Sequence, residues 1–220
     1  MICPSILSYD FTLLKDIFVK LENAGIEVVH FDVMDNHFVP NLTFGYKFID
    51  DLRKYTSKII FDTHLMIDKP EDNIILYSNS SDIVTVHFEA IKDRKKLIKE
   101  VEKLKNKGKK FGISIKPKTK PKKIKEYIDI VDLVLIMSVE PGFGGQELIP
   151  YCLDKVEEVK LLRGNRNIII QMDGGINKNN FYDVYKRGVE WFVIGSAFFK
   201  EDDFSFYNRL LKDIKNGKYI

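Results

Sequence analysis

The chain has 220 residues, 45% of them hydrophobic and 30% charged, with a net charge of +3 at pH 7. That balance fits a soluble globular protein with a real core. No run approaches the roughly 18 apolar residues of a membrane span, and the opening MICPSILSYD lacks the basic and apolar segments of a secretory leader. A cytoplasmic location is therefore expected. Cys3 and Cys152 are far apart, share no metal-like spacing, and read as reduced thiols.

Along the chain, short β-branched runs alternate with amphipathic stretches. The predicted strands are 2–6, 26–32, 58–65, 82–87, 110–115, 132–137, 167–172 and 190–194. Several, such as DLVLIM and NIIIQM, are apolar on both faces, as parallel strands covered on both sides must be. The predicted helices lie near 10–24, 45–55, 71–79, 93–107, 121–128, 150–163, 178–187 and 203–215. Asp10 suits an N-cap, and Pro70 and Pro121 suit first turns.

Eight strand-helix units average about 27 residues each, compact for a barrel fold that usually runs near 250 residues. No G-x-G-x-x-G follows the first strand, and the count of eight favours closure over an open, doubly wound sheet. The expected architecture is α/β: a single (β/α)8 TIM barrel forming one catalytic domain over residues 1–220.

Chemistry in such barrels sits at the C-terminal strand ends. Nearly every predicted strand delivers polar or glycine residues there: Ser5, His30 and Asp32, Asp62 and His64, His87 and Glu89, Ser138, Asp173, Gly195 and Ser196. His30 and Asp32 are two apart, so both face the barrel interior. With His64 and Asp173 they make a four-ligand set for Zn²⁺, Fe²⁺ or Mn²⁺. The bland alternative is that each is a satisfied polar residue at the barrel mouth. For His87 and Glu89, a supporting role behind the ligands and a purely structural one stay equally open.

The run PGFGGQ, 141–146, follows strand six, DGG, 173–175, follows strand seven, and GS, 195–196, follows strand eight. Consecutive glycine turns can cradle a phosphate on backbone N–H groups, and SAFFK can start a short extra helix there. Met34, Met66 and Met137 end strands at the same rim, as core filler or as pocket lining. Asp35 and His37 are read as loop residues without a role.

Residues 92–127 hold 16 Lys/Arg and 4 Asp/Glu. Leu97, Ile98, Val101 and Leu104 make a buried stripe inside that block, and no aromatics interleave the lysines. A solvated face is expected there, with no nucleic-acid partner and no membrane.

Taken together, PSILS (4–8), HFDVMDNHFVPN (30–41), LTFG (42–45), DTHLM (62–66), VHFEA (86–90), KPKT (116–119), MSVEPGFGGQ (137–146), MDGGI (172–176) and GSAFF (195–199) resemble the ribulose-phosphate 3-epimerase family. The pieces run in family order across the barrel. The resemblance implies an isomerase of the pentose phosphate pathway that interconverts D-ribulose 5-phosphate and D-xylulose 5-phosphate through an ene-diolate. It implies one divalent ion, Zn²⁺, Fe²⁺, Mn²⁺ or Co²⁺, on His30, Asp32, His64 and Asp173, with Asp32 and Asp173 as the acid/base pair. It sets Ser5 and His64 against the sugar, and Gly142, Phe143, Gly144, Gly145, Gly174, Gly175, Gly195 and Ser196 around the substrate's phosphate end. A homo-oligomer, dimer or hexamer, is also implied. Asn36, Tyr46 and Lys118 depart from the family pattern without touching a proposed ligand, and Asn tolerates a left-handed turn better than most residues.

Two other readings remain: a sister epimerase for a six-carbon ketose phosphate such as D-allulose 6-phosphate, and a non-catalytic barrel that binds anions through residues 92–127. A decarboxylase on the same barrel is disfavoured because the sequence has no D-x-K-x-x-D motif.

Overall fold

The computed structural model describes residues 1–218; the last two residues of the expected domain lie outside the described residues. Eight parallel strands form the core sheet: β1 (Ile2–Pro4), β2 (Val28–Met34), β3 (Ile60–Met66), β4 (Ile83–His87), β5 (Lys110–Ile115), β6 (Leu133–Met137), β7 (Ile169–Asp173) and β8 (Trp191–Ile194). The ladder runs β1-β8-β7-β6-β5-β4-β3-β2. Its two ends meet at a parallel bridge between Ser5 and His30. The sheet thus comes round into a (β/α)8 barrel.

Between the strands lie α1 (Leu14–Asn23), α2 (Tyr46–Arg53), α3 (Ile74–Tyr77), α4 (Arg94–Asn106), α5 (Lys155–Arg163), α6 (Phe181–Arg187), α7 (Ser196–Phe199) and α8 (Phe206–Lys215). Local chemistry sets their starts. The Asp93 side chain accepts from the Lys96 amide at 3.0 Å and caps α4. Leu97, Val101 and Leu104 then bury one face of α4, and its lysines stay wet. Asp10 caps a short 3-10 turn ahead of α1 rather than the helix itself.

One expected helix differs in kind. Residues Pro121–Tyr127 form a 3-10 helix. Its buried residues are Pro121, Ile124 and Tyr127. That spacing of three keeps one face inward at three residues per turn, whereas an α-helix would rotate the stripe away.

Strand alternation divides the core into two layers. Outward side chains, among them Phe31, Phe61, Phe111 and Phe192, join the helices in one large cluster. Inward side chains include Cys3, Val28, Ile83, Leu133, Leu135 and Val193, an apolar filling of the barrel. Above it the inward positions turn polar: His30, Asp62, Thr85 and Gln171, then Asp32, His64, His87 and Ser114, all buried. Met34 and Met66 pack with Val39 as a small cap at the mouth.

The filling is tight at β5. A Cβ on Gly112 would stand 2.2 Å from Thr85 Oγ1 and 3.1 Å from Leu133 Cδ2. Overpacking of this kind costs about 1–3 kcal/mol. Gly112→Ala should therefore lower the unfolding free energy in urea by that order, and adding Thr85→Ala should recover part of the loss. Full stability in the single variant would mean that the interior has slack.

Candidate active site

The barrel brings His30, Asp32, His64 and Asp173 together. One ligand atom from each lies within 4.8 Å of every other. His30 and Asp32 come from β2, His64 from β3 and Asp173 from the end of β7. The β2–β3 register places Asp32 beside His64.

Three of the four side chains are held from behind, and the fourth residue is fixed through its backbone. His30 Nδ1 lies 2.7 Å from Asp62 Oδ2, and Gln171 Nε2 donates to the same oxygen at 2.6 Å. That leaves His30 Nε2 buried without a hydrogen-bond partner, 3.4 Å from Asp32 Oδ1. The Ser5 hydroxyl donates to Asp32 Oδ2 at 2.6 Å. His64 Nδ1 is 3.4 Å from Asp32 Oδ1, and His64 Nε2 is 2.9 Å from His87 Nε2. Ser138 fixes the backbone at Asp173, donating to its carbonyl from the amide at 2.7 Å and from the hydroxyl at 2.9 Å.

The two carboxylates behave oppositely. Burial works to raise Asp32, but the charge of His30 and the imidazole nitrogens of His30 and His64, each 3.4 Å from its Oδ1, overcome it and hold that carboxyl well below the usual range. Asp173 is pushed up to about 7, by burial first and then by the negative charge of Asp32. Burial lowers His64. Burial also opposes a charge on His30, yet Asp62 and Asp32 raise it well above the ordinary histidine value. The cluster thus draws positive charge to its centre. An orphaned imidazole nitrogen aimed at two carboxylates fits a divalent cation, and two N and two O donors suit several first-row ions.

Above the cluster is a cavity of about 480 Å³. Its wall includes Ser5, Asp32, Asp173, all three expected methionines (Met34, Met66 and Met137), Gly142, Phe143, Gly144, Gly145, Gly174, Gly175, Gly195 and Ser196. His30 and His64 lie beneath it, fully buried. Gly174 and Gly175 have φ of 119° and 67°, and a Cβ on Gly175 would stand 2.2 Å from the Leu148 amide nitrogen. Only glycine lets the β7 turn pass so close to the loop after β6. Asn41 Nδ2 donates to the Gly142 carbonyl at 2.7 Å and ties that loop to the loop after β2.

Asp35 and His37 stay outside the cluster. Asp35 Oδ1 accepts from the amides of His37 and Phe38, and Oδ2 from the amide of Asp68. It is a turn-forming carboxylate, and the His37 side chain is exposed. Asn36 takes the left-handed conformation expected of it, with φ 58°.

Sequence reasoning gave no role to Asp62 or Gln171. Their signal was there: each lies two residues before a cluster member on the same strand, and so shares its inward face. Ser8, Lys178 and Lys200 also line the cavity without having been singled out.

A (β/α)8 barrel with a two-histidine, two-aspartate cluster that could hold a metal ion, set under a glycine-rimmed cavity, has the build of a barrel enzyme. Residues 1–199 match the Ribulose-phosphate 3 epimerase family. Curated ribulose-phosphate 3-epimerases of Escherichia coli (strain K12) and Bacillus subtilis (strain 168) are 40% and 38% identical to the chain. These alignments cover 98% and 99% of this chain and 95% and 99% of the relatives. The chain belongs to the ribulose-phosphate 3-epimerase family, and its activity class is that of an isomerase. Among solved structures, 3-keto-L-gulonate-6-phosphate decarboxylase from Vibrio cholerae is similar at 17% identity and a TM-score of 0.70, covering 98% of this chain and 97% of that one. A 3-hexulose-6-phosphate synthase is similar at 16% and 0.65, covering 96% and 97%. These two share the fold. Among the described residues no helix is long and apolar enough to cross a membrane.

The opposed carboxylates generate a prediction for the chelated protein. A carboxyl raised on folding from 3.8 to about 7 binds its proton more tightly in the native state. Its penalty is absent at low pH and grows as pH rises from about 4 to 7. In EDTA, Asp173→Asn should gain stability relative to wild type between pH 4.5 and pH 8, read from urea midpoints. A gap independent of pH would remove charge repulsion as its source.

Proposed function

We propose that the chain epimerises C3 of a ketopentose phosphate, interconverting D-ribulose 5-phosphate and D-xylulose 5-phosphate in the pentose phosphate pathway, in the cytoplasm and with residues 1–220 as one catalytic domain. The observation that carries this reading is the convergence of Asp32 and Asp173 on one cavity from β2 and β7, with His30 and His64 beside them. The printed names of the curated relatives supply the substrate class.

Epimerisation removes a proton α to a carbonyl and returns one on the other face of the carbon. It needs a base and an acid on opposite sides of the substrate. Asp32, ionised and accepting from Ser5, is set to take the C3 proton. The pair of the broken C3–H bond passes into the adjacent carbonyl and gives the ene-diolate. Asp173 is set to return a proton from the other face, and the roles exchange in the reverse direction. A divalent cation held by His30, Asp32, His64 and Asp173 would supply positive charge against the ene-diolate oxygens. Ser5 and His64 would face the sugar. Met34, Met66 and Met137 give the cavity an apolar floor that limits water beside the carbanionic carbon. Backbone amides of the turns at 142–145, 174–175 and 195–196 are the candidate phosphate donors, and Ser196 begins α7.

Purified protein should epimerise D-ribulose 5-phosphate, lose the activity on chelation and regain it with a divalent ion. No turnover by folded protein with any such ion would redirect the reading to D-allulose 6-phosphate. Asp32→Asn and Asp173→Asn should each lower kcat about 10²- to 10⁴-fold with the fold intact. Near-normal turnover in either variant would sink the acid/base pair. Ser196→Ala should raise KM with kcat little changed; an unchanged KM would take Ser196 out of the phosphate site.

A further inference from the structure

Behind His64 runs a chain of buried polar groups that the reaction itself does not use. His64 Nε2 faces His87 Nε2 at 2.9 Å, and both rings are fully buried. Two N–H groups cannot face each other there, nor can two lone pairs hold that distance. One proton lies between the rings, and whichever ring owns it fixes the His64 tautomer.

The far side of His87 decides the owner. His87 Nδ1 lies 3.2 Å from Glu89 Oε2. The other oxygen, Glu89 Oε1, accepts from the Lys116 amide at 2.8 Å and from the Thr119 hydroxyl. That turn is pinned in its own right: Lys155 Nζ donates to the Lys116 and Thr119 carbonyls, each at 2.8 Å. Glu89 therefore meets fixed donors on one side and an imidazole on the other.

An ionised carboxylate can only accept. His87 must carry its proton on Nδ1, so a neutral His87 turns a lone pair towards His64. His64 then donates from Nε2, and its Nδ1 is left bare, 3.4 Å from Asp32 Oδ1, inside the cluster. The opposite tautomer would set an N–H against Asp32 Oδ1 at 3.4 Å, a longer contact that a cation in the cluster would replace, and would leave a His87 lone pair against the Glu89 carboxylate at 3.2 Å. We propose that Glu89, acting through His87, fixes the tautomer of His64 and so points its Nδ1 lone pair at the metal. His87 and Glu89 are thus positioning residues. His30 is set by the same logic with one link fewer, through Asp62. The inference rests on the metal reading of the cluster.

Glu89→Gln tests it with little change of shape. The Lys116 amide and Thr119 hydroxyl still need an acceptor, so the Gln carbonyl should face them and its NH₂ should face His87. That reverses the chain and protonates His64 Nδ1. The Co²⁺ dissociation constant, from d–d absorption with a competing chelator, should rise about 10- to 100-fold in Glu89→Gln. Glu89→Asp, which keeps an acceptor, should recover part of the affinity. In parallel, ¹⁵N spectra of histidine-labelled, metal-free wild type should show His64 protonated on Nε2. If wild type binds Co²⁺ and Glu89→Gln binds it as tightly, the inference falls while the metal reading stands. A wild-type His64 protonated on Nδ1 overturns the inference even where the variant does not fold. A wild type that takes up no Co²⁺ overturns the metal reading, and the inference with it.

Discussion

Two imidazoles and two carboxylates sit within 4.8 Å of one another inside a barrel whose lower filling is apolar. Removing an ion from water costs several kcal/mol even after relaxation. Three members of the group are held from their far sides, and much of the inner structure follows from that need. Asp62 and Gln171 stand behind His30, His87 stands behind His64, and Ser5 donates to Asp32. Even the closing bridge of the barrel serves it. Ser5 pairs with His30 across the β1–β2 seam while its hydroxyl reaches Asp32. Asp173 is the member left without such help, and its carboxyl accordingly rises.

This arrangement explains why the barrel interior is graded. The lower inward positions are apolar and pack without polar partners. The middle positions, Asp62, Thr85 and Gln171, are polar because the rim above them needs orienting groups. Once Thr85 points inward, β5 has no room for a side chain opposite it, and Gly112 stands there. A residue with no part in the chemistry is thus fixed by a requirement that begins at the rim.

The architecture was legible because its cause is local. Strands buried on both faces must read as short apolar runs, and the eight expected runs each overlap an observed strand. The convergence of the two histidines and two aspartates was legible for a related reason: a period of two puts His30 and Asp32 on one face whatever the tertiary detail. Residues 121–128 misled because Pro121, Ile124 and Tyr127 at spacing three suit a 3-10 turn, while two of them also suit an α-helix. The relay behind His64 was only half legible. VHFEA places His87 beside β3, but its link to Thr119 and Lys155 joins segments 30 and 36 residues apart through loop geometry that no periodicity encodes.

The basic segment gains its meaning from the same geometry. Several of its basic side chains are held in ion pairs. Arg94 pairs with Glu126, Lys96 with Asp72, Lys105 with Asp132 and Lys109 with Asp82. Exposed pairs of this kind contribute at most about 1 kcal/mol each, so they serve solubility and local order more than stability. Lys116 is different, because it is the backbone amide that matters there. The KPKT turn feeds an N–H and a hydroxyl to Glu89 while Lys155 anchors it from α5. A stretch that reads in sequence as surplus charge therefore contains the outer support of the active site, and its function lies in where its main chain turns.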